Sequence, residues 1–238
     1  MFKRHASTPV MREMLADPSP RTRVMLTGMF LERDIAAVNA AHPDLCGFTV
    51  NLSYSRRNVE RDRLAALVRE LDPAIPAVGL FFDQPLGMVA ELADTVLDLV
   101  ELGGSEDNSY ISLMRNLVDV PICQRIRLDG PAAVERANQS AADIVLLKGS
   151  WYLLNRRDLA LIRQVRRPFI LSGGLTPNNL ARTVQMTRPW GVDLDTGIEH
   201  NGFKSAEKIA AAVEAAGGSP VAHAGDETRS TRTTVRMP

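Results

Sequence analysis

Cysteine is scarce in this chain of 238 residues, with only Cys46 and Cys123 present. Both lie inside strand-like apolar runs, which suits small buried hydrophobes in a reducing cytosol and excludes a disulfide scaffold or a cysteine metal centre. The four histidines, His5, His42, His200 and His223, are scattered without ligand spacing, so no metal and no cofactor is expected. Charge of one sign is also missing: 28 basic residues face 28 acidic ones. No global field draws the chain to nucleic acid or an anionic membrane, and any anion site must be local. No run approaches the roughly 20 apolar residues of a membrane span. The start, MFKRHASTPVMREML, has basic residues with no apolar segment behind them, unlike a secretory signal, so a cytoplasmic location is expected. The composition leaves the oligomeric state open.

What is present is a 45% hydrophobic composition, enough for a large core. Eight apolar runs read as buried strands: 24–29, 46–51, 76–82, 95–102, 121–127, 143–148, 168–172 and 191–195. Segments with apolar residues at three- and four-residue spacing separate them, for example RDRLAALVREL and AEKIAAAVEAA, and these read as helices. A helix after each strand implies parallel pairing, and eight such units close into a single (β/α)₈ TIM barrel over residues 23–216. Residues 1–22 form an extension with an extra helix over 6–17 that has Pro9 in its first turn. Residues 217–238 lack apolar periodicity and read as a flexible tail.

Polar groups that act on ligands sit at the carboxyl ends of barrel strands, which turns those ends into a shortlist. It holds Thr27 and Gly28, Arg56 and Arg57 beyond the second strand, Asp83, Glu101, Arg125 and Arg127, Lys148, Ser172–Gly174, and Asp193–Gly197. In SGGLTPNN, two glycines precede a helix that opens at Pro177. Bare backbone and a helix amino end together suit a phosphate, and the loops after strands seven and eight are the usual place for one. Ser172, Gly173, Gly174, Asp195, Thr196 and Gly197 are therefore the candidate phosphate site. The competing account is a tight turn with Thr176 or Asn178 as helix cap. Asp83, before Gln84-Pro85, reads as a helix cap. Trp151 and Tyr152 read as covering the mouth or packing on the barrel, and His200 as a surface residue near the eighth-strand loop.

SGGLTPNNL, followed by RPWGVDLDTGIEHNGFKSAEKIAAAVEAA, resembles the carboxyl-terminal part of phosphoribosylanthranilate isomerases, tryptophan-pathway enzymes that perform an Amadori rearrangement. The Ser-x-Arg-x-Val pattern, here Ser55-Arg56-Arg57-Asn58-Val59, and VGLFFDQPLGMVAELADTVLDLVELGGSE extend the resemblance over residues 23–216. It implies a small phosphorylated substrate, with Arg57, or Arg56 beside it, on a substrate carboxylate, the competing account being a solvated surface charge. Glu101 and Asp193, from the strand-end shortlist, are the further substrate-binding candidates and the alternative partners of Lys148 across the mouth. The chain departs from the pattern where protons move. The family's first strand ends Lys-Ile-Cys-Gly-Ile-Thr, with cysteine as general base, and the chain has Thr27 there. The family's sixth strand ends Leu-Leu-Asp, with aspartate as general acid, and the chain has Lys148. The glycine-rich loop that follows is replaced by GSWYLLNRRDL, and the histidine of a fourth-strand Leu-His-Gly by Gly103.

A threonine hydroxyl is a poor base beside a thiol of pKa about 8.5. Lys148 can serve as acid or base, as a Schiff-base nucleophile like that of class I aldolases, or as a plain charge. Three readings follow: an isomerase with altered catalytic residues Thr27 and Lys148, a lysine-dependent lyase on a phosphosugar, or a non-catalytic relative that binds a phosphate ligand. Loss of both groups predicts feeble isomerisation, improved by changing Thr27 to Cys and Lys148 to Asp together.

Overall fold

Eight parallel strands, most of them buried on both faces, form a closed ring in the computed structural model, which describes residues 8–217. They are β1 (Arg23–Leu26), β2 (Leu45–Val50), β4 (Ala77–Phe81), β5 (Leu99–Leu102), β6 (Ile122–Arg127), β7 (Ile144–Lys148), β8 (Phe169–Ser172) and β9 (Gly191–Leu194). Between β2 and β4 lies β3 (Asn58–Val59), a two-residue addition that pairs with the end of β2. Pairing of β1 with both β2 and β9 closes the ring. The eight-stranded barrel expected from the apolar runs is therefore the observed fold.

Alternation along the strands makes two separate cores. Met25, Leu45, Val78, Leu80, Leu99, Cys123, Ile144, Leu146 and Ile170 fill the barrel. Their sequence neighbours, such as Val24, Leu26, Phe48, Val100, Leu147 and Val192, join the larger core beneath the helices. Those helices are α2 (Glu32–Ala41), α3 (Arg61–Glu70), α4 (Leu86–Thr95), α5 (Asn108–Arg115), α6 (Pro131–Gln139), α7 (Arg156–Ile162), α8 (Pro177–Thr187) and α9 (Ala206–Ala215). The fourth apolar run is divided between the end of α4 at Thr95 and a strand that starts only at Leu99.

An additional helix, α1 (Thr8–Ala16), precedes the barrel. Its Met11 is 0% exposed and belongs to the inner core, with Met14 and Leu15 packed against it. This helix closes the end of the barrel where the strands begin, and burying one such side chain contributes about 1.5–3 kcal/mol. Arg23 secures the connection: its guanidinium reaches Asp17 at 2.6 Å, the carbonyls of Ser19 and Arg21, and the face of Trp190. The expected carboxyl-terminal tail lies outside the described residues. No helix among the described residues is long and apolar enough to cross a membrane.

Candidate active site

With the lower end closed, ligand chemistry belongs to the end where the strands finish, and there the inner layer turns polar. Thr27 follows β1 two residues after Met25, Glu101 follows Leu99, Arg125 follows Cys123, Lys148 follows Leu146, Ser172 follows Ile170, and Asp193 follows Gly191. Period-two alternation carries all of them to the inside above the apolar layer. Room for Thr27 comes from Gly47 on the adjacent strand, where a Cβ would lie 2.5 Å from the threonine methyl.

Hydrogen bonds join four of these side chains in a row. Lys148 Nζ donates to Ser172 Oγ at 3.2 Å, and Ser172 Oγ donates to Asp193 Oδ2 at 2.6 Å. From the other side Thr27 Oγ1 donates to Asp193 Oδ1 at 2.6 Å. Asp193 thereby connects Thr27 and Lys148, the two catalytic candidates of the sequence. Ser172, placed in the phosphate set by the sequence, has its hydroxyl committed to this row instead.

Beside the row, Arg125 Nε donates to Glu101 Oε1 at 2.6 Å, and Arg125 Nη2 stands 3.9 Å from Asp193 Oδ2. Lys148 and Arg125 thus balance Glu101 and Asp193. Glu101 is 0% exposed, and its Oε2 has no hydrogen-bond partner among the described residues. Burial pushes its carboxyl above the ordinary 4.5, with attraction to Arg125 offsetting part of the rise. Burial also pushes the Cys123 thiol well above its usual range, so this interior cysteine stays protonated and does not replace a thiolate base.

The raised Glu101 value sets a sign for stability. A carboxyl whose folded value exceeds its unfolded value favours folding below the unfolded value, and that contribution is lost as pH rises through the folded one. Glu101→Gln is therefore expected to flatten the stability profile from about pH 4.5 upward. Urea melts of both proteins across that range check it, and parallel profiles would refute the assignment.

Two loops meet next to the row. Gly173 and Gly174 have φ of 112° and 69°, in the region that favours glycine. A Cβ on Gly173 would lie 2.1 Å from Gly149 O, and one on Gly174 3.0 Å from Tyr152 N. The segment after β7 lies flat against these glycines: Gly149 N donates to Ser172 O at 2.9 Å and Trp151 N to Gly173 O at 3.0 Å. Trp151 is buried, whereas Tyr152 is 67% exposed. A Cβ on Gly197 would lie 1.8 Å from Leu175 O, so the eighth-strand loop abuts the Gly-Gly loop. Of the two cap candidates, Thr176 is the N-cap residue of α8; Asn179 Oδ1 accepts from Thr176 N, while its amide donates to Gly174 O. A groove of about 590 Å³ opens here between Tyr152, Thr176, Asn178, Gly197 and Lys208.

Asp195 points elsewhere. Its Oδ1 takes Lys204 Nζ at 2.7 Å and lies 3.4 Å from Arg57 Nε. Arg57 Nε donates to Glu199 Oε1 at 2.6 Å, and Lys204 Nζ stands 3.1 Å from the same oxygen. This four-charge cluster sits over Gly28, where a Cβ would meet Arg57 Cδ and Asp195 Oδ1, each at 2.6 Å. Arg57, assigned by the sequence to a substrate carboxylate, is engaged with Glu199 and Asp195 here. His200 lies in β10 (Glu199–His200), which pairs with β11 (Phe203–Lys204), and it is exposed. Asp83 is not a helix cap: it accepts from the amide and hydroxyl of Ser105, each at 2.6 Å, while α4 begins after Pro85. No group of three or more His, Cys, Asp or Glu side chains among the described residues is placed to hold a metal.

The family model described as "N-(5'phosphoribosyl)anthranilate (PRA) isomerase" matches residues 32–215. The chain belongs to this isomerase family. The N-(5'-phosphoribosyl)anthranilate isomerase of Endomicrobium trichonymphae is 30% identical over 196 residues, covering 79% of this chain and 94% of that protein. The crystal structure of the Thermus thermophilus phosphoribosyl anthranilate isomerase superposes with a TM-score of 0.71 at 29% identity, covering 82% of this chain and 98% of that one. A 24% identical isomerase, solved in complex with reduced 1-(o-carboxyphenylamino)-1-deoxyribulose 5-phosphate, shares the fold with a TM-score of 0.70 over 83% of this chain and 99% of that one.

Glu199 and Lys204 escaped the sequence reading. Lys204 is anchored through a hairpin turn at Asn201-Gly202, both at positive φ, and an Asn-Gly pair between short strand-like segments was the available signal.

Proposed function

We propose that this chain isomerises N-(5'-phosphoribosyl)anthranilate, or a phosphoribosylamine of the same shape, by an Amadori rearrangement in the cytoplasm. The reading rests above all on the row Lys148–Ser172–Asp193–Thr27, which occupies both proton-transfer positions with groups able to replace what the family pattern supplies. Lys148, as an ammonium, protonates the ribose ring oxygen as the ring opens to a Schiff base. Thr27 takes the proton from C2 and passes its own to Asp193, so the carboxylate provides the basicity that a lone hydroxyl lacks. Glu101 acts through Arg125, which holds Asp193 from the side opposite Thr27. The substrate's phosphate lies on Gly173, Gly174, Thr196 and Gly197 at the amino end of α8. Arg57, matched by Glu199, shapes the wall over Gly28 rather than offering a free charge.

Growth of a tryptophan auxotroph lacking the isomerase, backed by fluorescence kinetics on purified protein, tests the activity. No rescue and no turnover would refute it. The phosphate site has its own test. Gly174→Asp is expected to abolish phosphate-ester binding in calorimetry, because the carboxylate would occupy and repel the anion's place. Unchanged affinity in a variant shown to be folded by its melting curve would remove the site.

A further inference from the structure

The row of hydrogen bonds does more than hold its members in place, because an isomerisation that gives one proton and takes another must be reset. Ring opening moves a proton from Lys148 to the ring oxygen as the C1–O bond breaks, leaving a neutral amine and a Schiff base. Breaking the C2–H bond puts its electron pair into the new C1–C2 double bond while the C1=N π pair returns to the nitrogen of the protonated Schiff base, giving a neutral enolamine. It delivers the proton to Thr27 Oγ1, whose own proton passes to Asp193 Oδ1. The enzyme is then one proton short at Lys148 and one in excess at Asp193. Its overall charge is unchanged, yet it is unfit for a second cycle.

We infer that Ser172 closes this cycle by carrying the excess proton from Asp193 to Lys148 inside the barrel. The inference rests on the isomerase reading above. In the resting arrangement Lys148 Nζ donates to Ser172 Oγ at 3.2 Å, and Ser172 donates to Asp193 Oδ2 at 2.6 Å. After the two transfers both bonds reverse direction: protonated Asp193 donates to Ser172, and Ser172 donates to the neutral amine. Two short proton shifts restore ammonium and carboxylate, with nothing gained or lost. Ser172 is 1% exposed, so the path is shielded from solvent along its middle. The side chain needs a single hydroxyl that accepts on one side and donates on the other, which is what serine at this position provides.

The charged groups facing the path belong to four strands: Lys148 on β7, Asp193 on β9, Arg125 on β6, which stands 3.9 Å from Asp193, and Glu101 on β5, which is paired with Arg125. Arg125 offers no second bridge, because it has donors only, and Glu101 is bonded to Arg125. Ser172 acts through its neighbours and is a relay and positioning residue, not one that touches substrate.

Ser172→Ala separates this role from a structural one. The first turnover should persist as a burst of product, followed by a steady-state rate lower by about 10²-fold, since reset must then pass through solvent. Added imidazole should raise that slow rate with concentration, and Ser172→Thr should restore the unaltered behaviour. Equal loss in burst and steady state, or no loss in either, would overturn the relay. Absence of any product from the unaltered protein would instead sink the isomerase reading. NMR then judges the relay alone. The Lys148 Nζ and Asp193 carboxyl signals should report one another's titration in the unaltered protein and lose that mutual response in Ser172→Ala. Mutual response unchanged by the substitution would overturn it.

Discussion

Replacing Lys148 by methionine is expected to lower the rate of phosphoribosylanthranilate isomerisation by about 10²- to 10⁴-fold, the usual contribution of a positioned acid. Methionine keeps the length and packing of the stem while removing the only group at the end of β7 that can protonate a ring oxygen. The loss should fall on kcat, with KM nearly unchanged, because the phosphate loops are not altered. An equal rise in KM would instead assign Lys148 to substrate binding. The charge balance of the mouth also bears on a repair that the sequence suggests, Thr27→Cys with Lys148→Asp. That pair of changes would leave Glu101, Asp193 and the new aspartate around Arg125 alone, and would set a cysteine against the Asp193 carboxylate, which disfavours its thiolate. On this geometry the double variant is expected to gain nothing over the unaltered protein. The same fluorescence assay decides it.

Arg125→Met is expected to cost about 3–5 kcal/mol of folding stability, measured by urea denaturation at neutral pH. Among the described residues the guanidinium is the one hydrogen-bonded partner of the Glu101 carboxylate, which is fully buried with its second oxygen unbonded. Removing it leaves an uncompensated charge inside the barrel and takes support from Asp193 as well. Changing both members, Arg125→Met with Glu101→Leu, should recover much of the loss, since an apolar pair of similar volume avoids the desolvation altogether. A single variant as stable as the unaltered protein would mean that water already solvates Glu101.

The barrel was legible because its strands are buried on both faces. Continuous runs such as IVLLK, and the helical spacing between them, leave few other ways to pack. The inward direction of Thr27, Lys148 and Asp193 follows from alternation, and the sequence supplied it. What the sequence hid were partnerships across strands. Nothing local in Arg125 announces Glu101, 24 positions away, and nothing in Ser172 announces that its hydroxyl faces Asp193 and Lys148 while its neighbours face the loops. Arg57 looked free because the residues that engage it, Asp195 and Glu199, come more than 130 positions later. The glycines of SGGL read as room for a phosphate, and the atoms that lie nearest them belong to residues 149–152.

That contact has a thermodynamic consequence. With Gly149 and Trp151 bonded to the Gly-Gly loop and the indole buried beneath, the segment after β7 is fastened down before any ligand arrives. Ordering a mobile side chain on association costs about 0.5–1.5 kcal/mol, and here that cost is met once, during folding. On the proposed reading, a phosphorylated ligand entering beside Tyr152 would meet a preformed floor, and the bonded part of this segment would have no further ordering to undergo on binding.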